Sequence, residues 1–251
     1  MNELSSVRPA RTDEAEAVAD LLADAFLDYE WTDWAIPPDD RLGRLRRLHL
    51  LFAGLVGTAT GTTWVTDDLA AAAQWIPPSG FAIPPALRER LEEEEPALFG
   101  DRLERVEALD RLTRQARPAE PHWWLATVGT RPERRRQGLA SLVLAPILRR
   151  CDEAGEVAAL ETSSEETVAF YSRLGFRVEN AYPSPDGGLR VWLMVRAPAV
   201  PSVDPEERSW DSGRGPDRLM RSWPRGLRLR GEASRKRNGP DPMDPGRADE
   251  M

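Results

Sequence analysis

A chain of 251 residues with 41% hydrophobic residues is long enough to bury the core of one or two domains. Its net charge of −8 argues against general binding to nucleic acid and weakly favours a cationic partner. A lone cysteine excludes an intramolecular disulfide, and two isolated histidines give no metal-ligand spacing, so we expect no metal. The lack of a long apolar span or signal peptide predicts a soluble cytoplasmic protein without a membrane partner.

The N-terminal segment predicts one short strand followed by two helices. Leu4 to Pro9 is the strand, and a helix begins at Thr12, where acidic residues follow at the positive end of the helix dipole. Its apolar face runs to about Tyr29. Glu30 to Trp34 leaves that pattern, and we expect a second helix from about Asp39 to Val56.

The next segment predicts a hairpin and then a helical insertion. Thr62 to Thr66 and Ala70 to Ile76 are rich in strand-forming or buried residues on either side of a short polar turn. Residues 83–117 are expected to form two helices, separated where Pro96 and Gly100 interrupt the pattern.

The most informative stretch is Trp123 to Leu144. Its apolar beginning predicts a buried central strand from Pro121 to Val128, which Pro132 and a run of charges end. A helix then begins at Gly138 and runs to Ala154, with Pro146 removing one hydrogen bond inside it. A strand, a basic turn and a helix start made of small residues together favour an anion site.

The C-terminal segment predicts a strand, a helix and a hairpin. The strand is Val157 to Glu161, the helix begins after Ser164 and ends at Gly175, and the hairpin strands are Phe176 to Pro183 and Leu189 to Val195. From residue 198 the chain becomes rich in Pro, Arg and Gly, so we expect a domain over 1–197 and a disordered tail over 198–251.

Two motifs resemble a known superfamily. Arg135-Arg136-Gln137-Gly138-Leu139-Ala140 resembles the acetyl-coenzyme A pyrophosphate loop of the GNAT N-acetyltransferases, and Ala159 to Phe176 resembles the strand and helix that follow it there. Within that superfamily the chain is most similar to the puromycin N-acetyltransferases, over roughly Val7 to Arg196. The resemblance implies an α/β (α+β) GNAT fold: a mixed, mostly antiparallel sheet with helices on both faces, splayed between its two central strands to hold acetyl-CoA.

The same resemblance implies the residues that bind the cosubstrate. They are Val128, Gly129 and Thr130 on the strand, and Arg135, Arg136, Gln137, Gly138, Leu139, Ala140 and Ser141 in the loop and helix start. A bulge near Gly129 would turn strand amides toward the thioester, although glycine in a strand also serves close packing. Thr167 stands where many members of the superfamily have asparagine, which leaves one cosubstrate contact open.

Two residues are predicted to be catalytic. Tyr171 is the candidate general acid for the departing thiolate, because a phenol is protonated at neutral pH; the alternative is a ring that only packs. Glu161 lies at a strand end, where it removes the ammonium proton, holds the cationic amine, or has a structural role. Cys151 and His122 are expected to pack or lie at the surface, because direct transfer requires neither.

The predicted acceptor contacts are mostly aromatic. They are Asp28, Tyr29, Trp31 and Trp34 after the first helix, and Trp123 and Trp124, which alternate between the two faces of the central strand. Each tryptophan has packing as its alternative. We expect an N-acetyltransferase, monomeric or homodimeric, that acts on a small-molecule primary amine such as an aminonucleoside or related antibiotic. A protein-lysine acetyltransferase and a non-catalytic acyl-CoA sensor are the alternatives.

Overall fold

Seven strands form one mixed sheet in the computed structural model, which describes residues 6–199. The strands are β1 (Val7–Pro9), β2 (Thr63–Thr66), β3 (Ala71–Ile76), β4 (His122–Thr130), β5 (Val157–Thr162), β6 (Arg177–Pro183) and β7 (Arg190–Arg196). Their order is β1-β2-β3-β4-β5-β7-β6, and β4 and β5 pair in parallel while the other neighbours pair antiparallel. The mixed, mostly antiparallel sheet is therefore confirmed.

Helices of very different lengths connect these strands. They are α1 (Ala15–Phe26), α2 (Glu30–Ala35), α3 (Arg41–His49), α4 (Gly57–Ala59), α5 (Pro85–Phe99), α6 (Leu103–Ala116), α7 (Leu139–Ala154) and α8 (Glu165–Arg173). A π-helical segment, Leu50–Val56, joins α3 to α4, and short 3₁₀ turns occupy Thr12–Glu14, Gly100–Arg102 and Pro132–Arg134. None of the helices within residues 6–199 combines the length and apolar character needed to cross a membrane.

The sheet is covered on both faces, as the alternation along β3 shows. Ala71, Ala73 and Trp75 share a buried cluster with residues of α7, whereas Ala72 packs with Leu22 of α1 on the opposite face. Because successive side chains of a strand point to opposite faces, a strand such as β3, buried in all but its last residue, requires helices on both faces of the sheet.

A partly buried ion pair fastens the start of α1 to the edge strand β1. The guanidinium of Arg8 donates to both carboxylate oxygens of Glu14, at 2.7 and 2.8 Å, and the backbone N–H of Arg11 donates to the same carboxylate at 2.8 Å. These bonds lower the pKa of Glu14 to about 2 despite its burial. The acidic helix start that the sequence predicted therefore also orients α1 on the sheet.

Two boundaries differ from the sequence prediction. Glu30 to Trp34, predicted to be non-helical, lies in α2, which buries Trp34 and Ala35. Pro96, predicted to separate two helices, lies inside α5; its missing N–H would have bonded Glu92, which is exposed, so water can replace the donor.

The described chain ends just beyond the predicted domain boundary. The backbone N–H of Ala199 donates to the Asp152 carboxylate at 2.7 Å, so residues 198 and 199 still follow the domain surface. The remainder of the predicted tail, residues 200–251, lies outside the described residues.

Candidate active site

The sheet opens between its two parallel strands. β4 and β5 pair from His122 opposite Val157 to Leu125 opposite Leu160. Beyond that point β4 continues to pair with β3, and β5 continues to pair with β7. Ala126, the first residue of β4 past the parallel pairing, is exposed although it lies in a central strand. The opening lies where the sequence resemblance expected the splay.

A β-bulge lies at this opening, three residues before the glycine at which it was expected. Thr127 pairs with Gln74 and Leu125 pairs with Trp75, which leaves Ala126 as the extra residue. Of the two roles that the sequence left open for Gly129, the structure therefore supports close packing and not a bulge. A Cβ on Gly129 would lie 2.8 Å from the Cβ of Ala25 and 2.9 Å from Leu22 Cδ2, so this glycine permits α1 to pack closely on β4.

The basic loop between β4 and α7 has the backbone of an anion site. Arg136 and Gly138 both adopt left-handed conformations, with φ of 61° and 79°, and residues 135–138 are exposed. The first backbone hydrogen bond of α7 is donated by Leu142 to Gly138, so the N–H groups of Leu139, Ala140 and Ser141 precede the helical ladder. These amides and the helix dipole favour an anion in front of Gly138.

Neighbouring arginines brace this loop against the rest of the domain. Arg135 donates to the carbonyl of Ala25 at 2.9 Å, and Arg134 forms an ion pair with Asp68, also at 2.9 Å. Arg136 makes no such side-chain bond to any residue within 6–199, so its cation remains available to a ligand. The loop fits a diphosphate: its backbone is open, and a Cβ on Gly138 would meet nothing within 4 Å.

Glu161 lies in the opening with an unusual protonation equilibrium. Burial raises its pKa to about 7, while the cation of Arg117 and hydrogen bonds from Tyr182 and Thr113 oppose the rise. The Tyr182 hydroxyl donates to Glu161 Oε1 at 3.2 Å. A carboxyl group with a pKa near neutrality is suited to accept and release a proton at physiological pH.

The helical insertion supplies an arginine to the same place, which the sequence analysis did not identify. Arg117 ends α6, and its guanidinium carbon lies 3.6 Å from the centre of the Trp124 ring. Trp124 lies opposite Ala159 in the sheet, and Glu161 is two residues farther along the same face of β5. No motif marks Arg117; only the folded position of α6 brings it to the site.

Two tyrosines lie on either side of the end of β5. Tyr171 of α8 is buried, its ring packs on Phe170 and Phe176, and burial together with nearby Tyr29 raises its pKa. The Tyr29 hydroxyl accepts a hydrogen bond from the Ser163 N–H at 2.8 Å and lies 3.0 Å from Thr162 Oγ1. Of the four candidates that follow α1, Tyr29 is thus held against the end of β5.

The other candidate acceptor residues have different surroundings. Asp28 is exposed and Trp31 packs edge-on against Phe99. Trp34 is buried and donates to the Asp186 carboxylate at 3.0 and 3.1 Å, which joins α2 to the β6–β7 turn. Trp123 is buried in the core on the α7 side and donates to Glu156 at 2.6 Å, so Trp124 is the one on the Glu161 side.

Two further residues have packing or local bonding partners. The Thr167 hydroxyl donates to the Ser164 carbonyl at 2.8 Å and bonds to Thr162, so it braces the start of α8. Cys151 is fully buried, and desolvation raises its pKa to about 12, which disfavours the nucleophilic thiolate at neutral pH.

Comparisons with known proteins identify similar sequences and similar folds. Residues 85–176, from α5 to the end of α8, match the acetyltransferase (GNAT) family. A Corynebacterium glutamicum protein described as "histone acetyltransferase HPA2 and related acetyltransferase" is 28% identical, with a TM-score of 0.59 over 79% of this chain and 99% of its own. The fold is shared by an agmatine N-acetyltransferase that is 17% identical, with a TM-score of 0.54 over 78% of this chain and 100% of its own. It is also shared by a Drosophila melanogaster polyamine N acetyltransferase that is 18% identical, with a TM-score of 0.51 over 76% of this chain and 98% of its own. Residues 85–176 therefore resemble the GNAT acetyltransferases in sequence, and the described domain shares the fold of these solved acetyltransferases.

Proposed function

We propose that this chain is an acetyl-CoA-dependent N-acetyltransferase that transfers the acetyl group directly to a small primary amine in a ternary complex. The observation that supports this most is the placement of a candidate general base, Glu161, and a candidate general acid, Tyr171, at the same opening. Glu161, with a pKa near 7, and the protonated hydroxyl of Tyr171 approach the end of β5 from the two sides of the sheet.

In this proposal the loop positions the cosubstrate. The amides at the start of α7 and the cation of Arg136 take the diphosphate, and residues 135–141 contribute through backbone more than through side chains. The edge of β4 that has no partner strand beyond Leu125 offers its N–H and C=O groups to the pantetheine arm. The exposed bulge residue Ala126 lies on that edge, so it joins Val128, Gly129 and Thr130 as a candidate contact.

Glu161 acts on the acceptor nitrogen. An amine enters the site largely as ammonium and must lose a proton before its lone pair can attack a thioester. A carboxylate buried beside that nitrogen first attracts the cation and then accepts its proton, directly or through one water. The same residue thus serves as anchor and as base.

Tyr171 acts on the leaving sulfur. Burial holds its proton on the oxygen, and desolvation also makes a thiolate in the same site a stronger base than in water. Its hydroxyl forms no hydrogen bond to any residue in the described part of the chain, which leaves its proton available. Cys151 cannot carry an acetyl group in this scheme, because it is fully buried as a thiol.

The acceptor is proposed to be a small molecule with an aromatic or extended apolar part, contacted by Tyr29 and Trp124. An aminonucleoside antibiotic is one such amine and rests on the sequence resemblance alone. The test is release of free thiol from acetyl-CoA with a panel of amines that includes puromycin, phenethylamine and agmatine. Acetylation of an amine supports the proposal; cosubstrate binding without turnover on any amine or protein would instead favour a sensor.

Acetylation of protein lysine is the second candidate. It is favoured by the similarity to the Corynebacterium glutamicum protein described as "histone acetyltransferase HPA2 and related acetyltransferase". Incubation with histones and a bacterial lysate protein fraction, followed by detection of acetyl-lysine, separates the two. Labelled protein in the absence of any small-amine turnover would replace the small-molecule proposal.

A further inference from the structure

Arg117 carries a cation that the domain does not neutralise at close range. Its Nε is buried without a hydrogen-bond partner, and its other two guanidinium nitrogens donate to no residue within 6–199. No carboxylate in that range lies within ion-pair distance of it. By contrast, Arg8, Arg44 and Arg196 each bond directly to a carboxylate.

The position of this guanidinium is nevertheless fixed. Trp124 supports its flat face at 3.6 Å, and Arg117 ends α6, where the helix dipole favours a cation. Burial lowers its pKa, yet an arginine retains its charge. A cation held in place, whose donors no oxygen within residues 6–199 occupies, is a preformed site for an oxygen acceptor.

The neighbour of this cation defines what kind of ligand fits. Glu161 lies on the same face of the sheet as Trp124, yet it forms no ion pair with Arg117. Its carboxylate attracts an ammonium, while Arg117 attracts a carbonyl or carboxylate oxygen. The two together complement a molecule that has an amine and an acyl oxygen close to each other.

We infer that Arg117 is a specificity-determining residue that selects acceptors carrying an acyl oxygen next to the amine, as α-amino acids and their amides do. This inference rests on the proposed function, since it names the acceptor class of the same site. The helical insertion then has a role in recognition, because α6 brings the cation of Arg117 to the acceptor side of the opening.

The test compares three amines on wild type and two variants. Phenethylamine has no acyl oxygen, phenylalaninamide has a neutral one, and phenylalanine has a carboxylate. Arg117→Met retains an apolar stem over Trp124 without the donors, and Arg117→Lys retains a cation without the planar fork. The quantity compared is the ratio of kcat/KM for an acyl-bearing amine to that for phenethylamine, so amine basicity and any change at Glu161 cancel between enzymes.

We expect Arg117→Met to lower this ratio about tenfold or more, with a smaller loss in Arg117→Lys. A lower ratio for phenylalaninamide would show that Arg117 binds a carbonyl oxygen of the acceptor. A lower ratio for phenylalanine would show that it binds a carboxylate. If both variants fold, by thermal melting, and every ratio stays as in wild type, Arg117 does not select the acceptor, although the acetyltransferase proposal stands. Turnover of none of the three amines or of the wider panel, with coenzyme A still bound, would overturn the proposed function and this inference with it.

Discussion

The hydroxyl of Tyr182 on β6 donates a hydrogen bond to Glu161 on β5, with 3.2 Å between Oη and Oε1, over the intervening strand β7. This bond favours the charged carboxylate, whereas burial of Glu161 favours the neutral acid. Burial is the larger effect, and the pKa settles at about 7. The proton equilibrium that the proposed chemistry requires is therefore set by the fold around one side chain.

The activity should depend on pH through Glu161. We expect kcat/KM to rise with pH up to about 7 and then level, because the base must be unprotonated in the free enzyme. Glu161→Gln should lower kcat about 100-fold and remove this limb of the profile. Tyr182→Phe should move the limb to higher pH, since it removes a bond to the charged form. A Glu161→Gln enzyme with the wild-type profile would exclude the base role.

Glu161→Gln should lower the activity but should not lower the stability at pH 8. The folded-state pKa of Glu161 is raised above its unfolded value, so its contribution is fully present below about pH 4.5 and is lost as pH rises through about 7. Glu161→Gln should therefore melt at the same temperature as wild type or higher at pH 8. This measurement separates a chemical defect from unfolding.

Tyr171→Phe should reduce turnover without weakening cosubstrate binding. The hydroxyl is the only group lost, and the ring retains its packing on Phe170 and Phe176. We expect kcat to fall about 100-fold, with an unchanged dissociation constant for coenzyme A in calorimetry. Tyr29→Phe is the comparison variant: it retains the ring that we propose contacts the acceptor and removes only a hydroxyl bonded to Ser163, so it should lower stability and leave kcat near the wild-type value. Full activity of Tyr171→Phe would exclude the general-acid role and show that this tyrosine only packs.

His49 should make the fold sensitive to mild acid. It is buried beside Phe26, its Nε2 has no hydrogen-bond partner, and desolvation lowers its pKa to about 3. Because the unfolded state gains a proton near pH 6.5 and the folded state does not, the contribution of His49 to stability falls below pH 6.5 by about 1.4 kcal/mol per pH unit. Glu161 contributes with the opposite sign between about pH 7 and 4.5.

Urea unfolding between pH 6.5 and 5 tests this in the Glu161→Gln background, which removes the opposite contribution of Glu161 from that interval. The protonation of Glu14 lies lower, between 4.5 and about 2. His49→Leu should flatten the dependence in that interval, whereas His122→Gln, at a partly exposed site, should retain it. An unchanged slope in His49→Leu would show that the histidine is not the origin of the effect.

The sequence predicted the local parts of this site and missed those that depend on distant contacts. Gly138 and the residues around it could be identified, because a glycine at a helix start and its basic neighbours lie within one short motif. Arg117 could not, since only the packing of α6 brings it over Trp124. The sequence left the role of Gly129 open between a bulge and close packing for a similar reason: its contact with Ala25 joins residues far apart in the chain.

Isothermal titration calorimetry with coenzyme A and acetyl-CoA tests most directly whether a diphosphate binds in front of Gly138. Gly138→Glu places a side chain and a negative charge there, whereas Gly155→Glu makes the same change at the other end of α7, where φ is also positive, at 70°, and a Cβ also meets nothing within 4 Å. We predict binding heat for wild type and Gly155→Glu, and none for Gly138→Glu. Absence of heat with wild type, or equal affinity in all three proteins, would contradict the assignment of this loop.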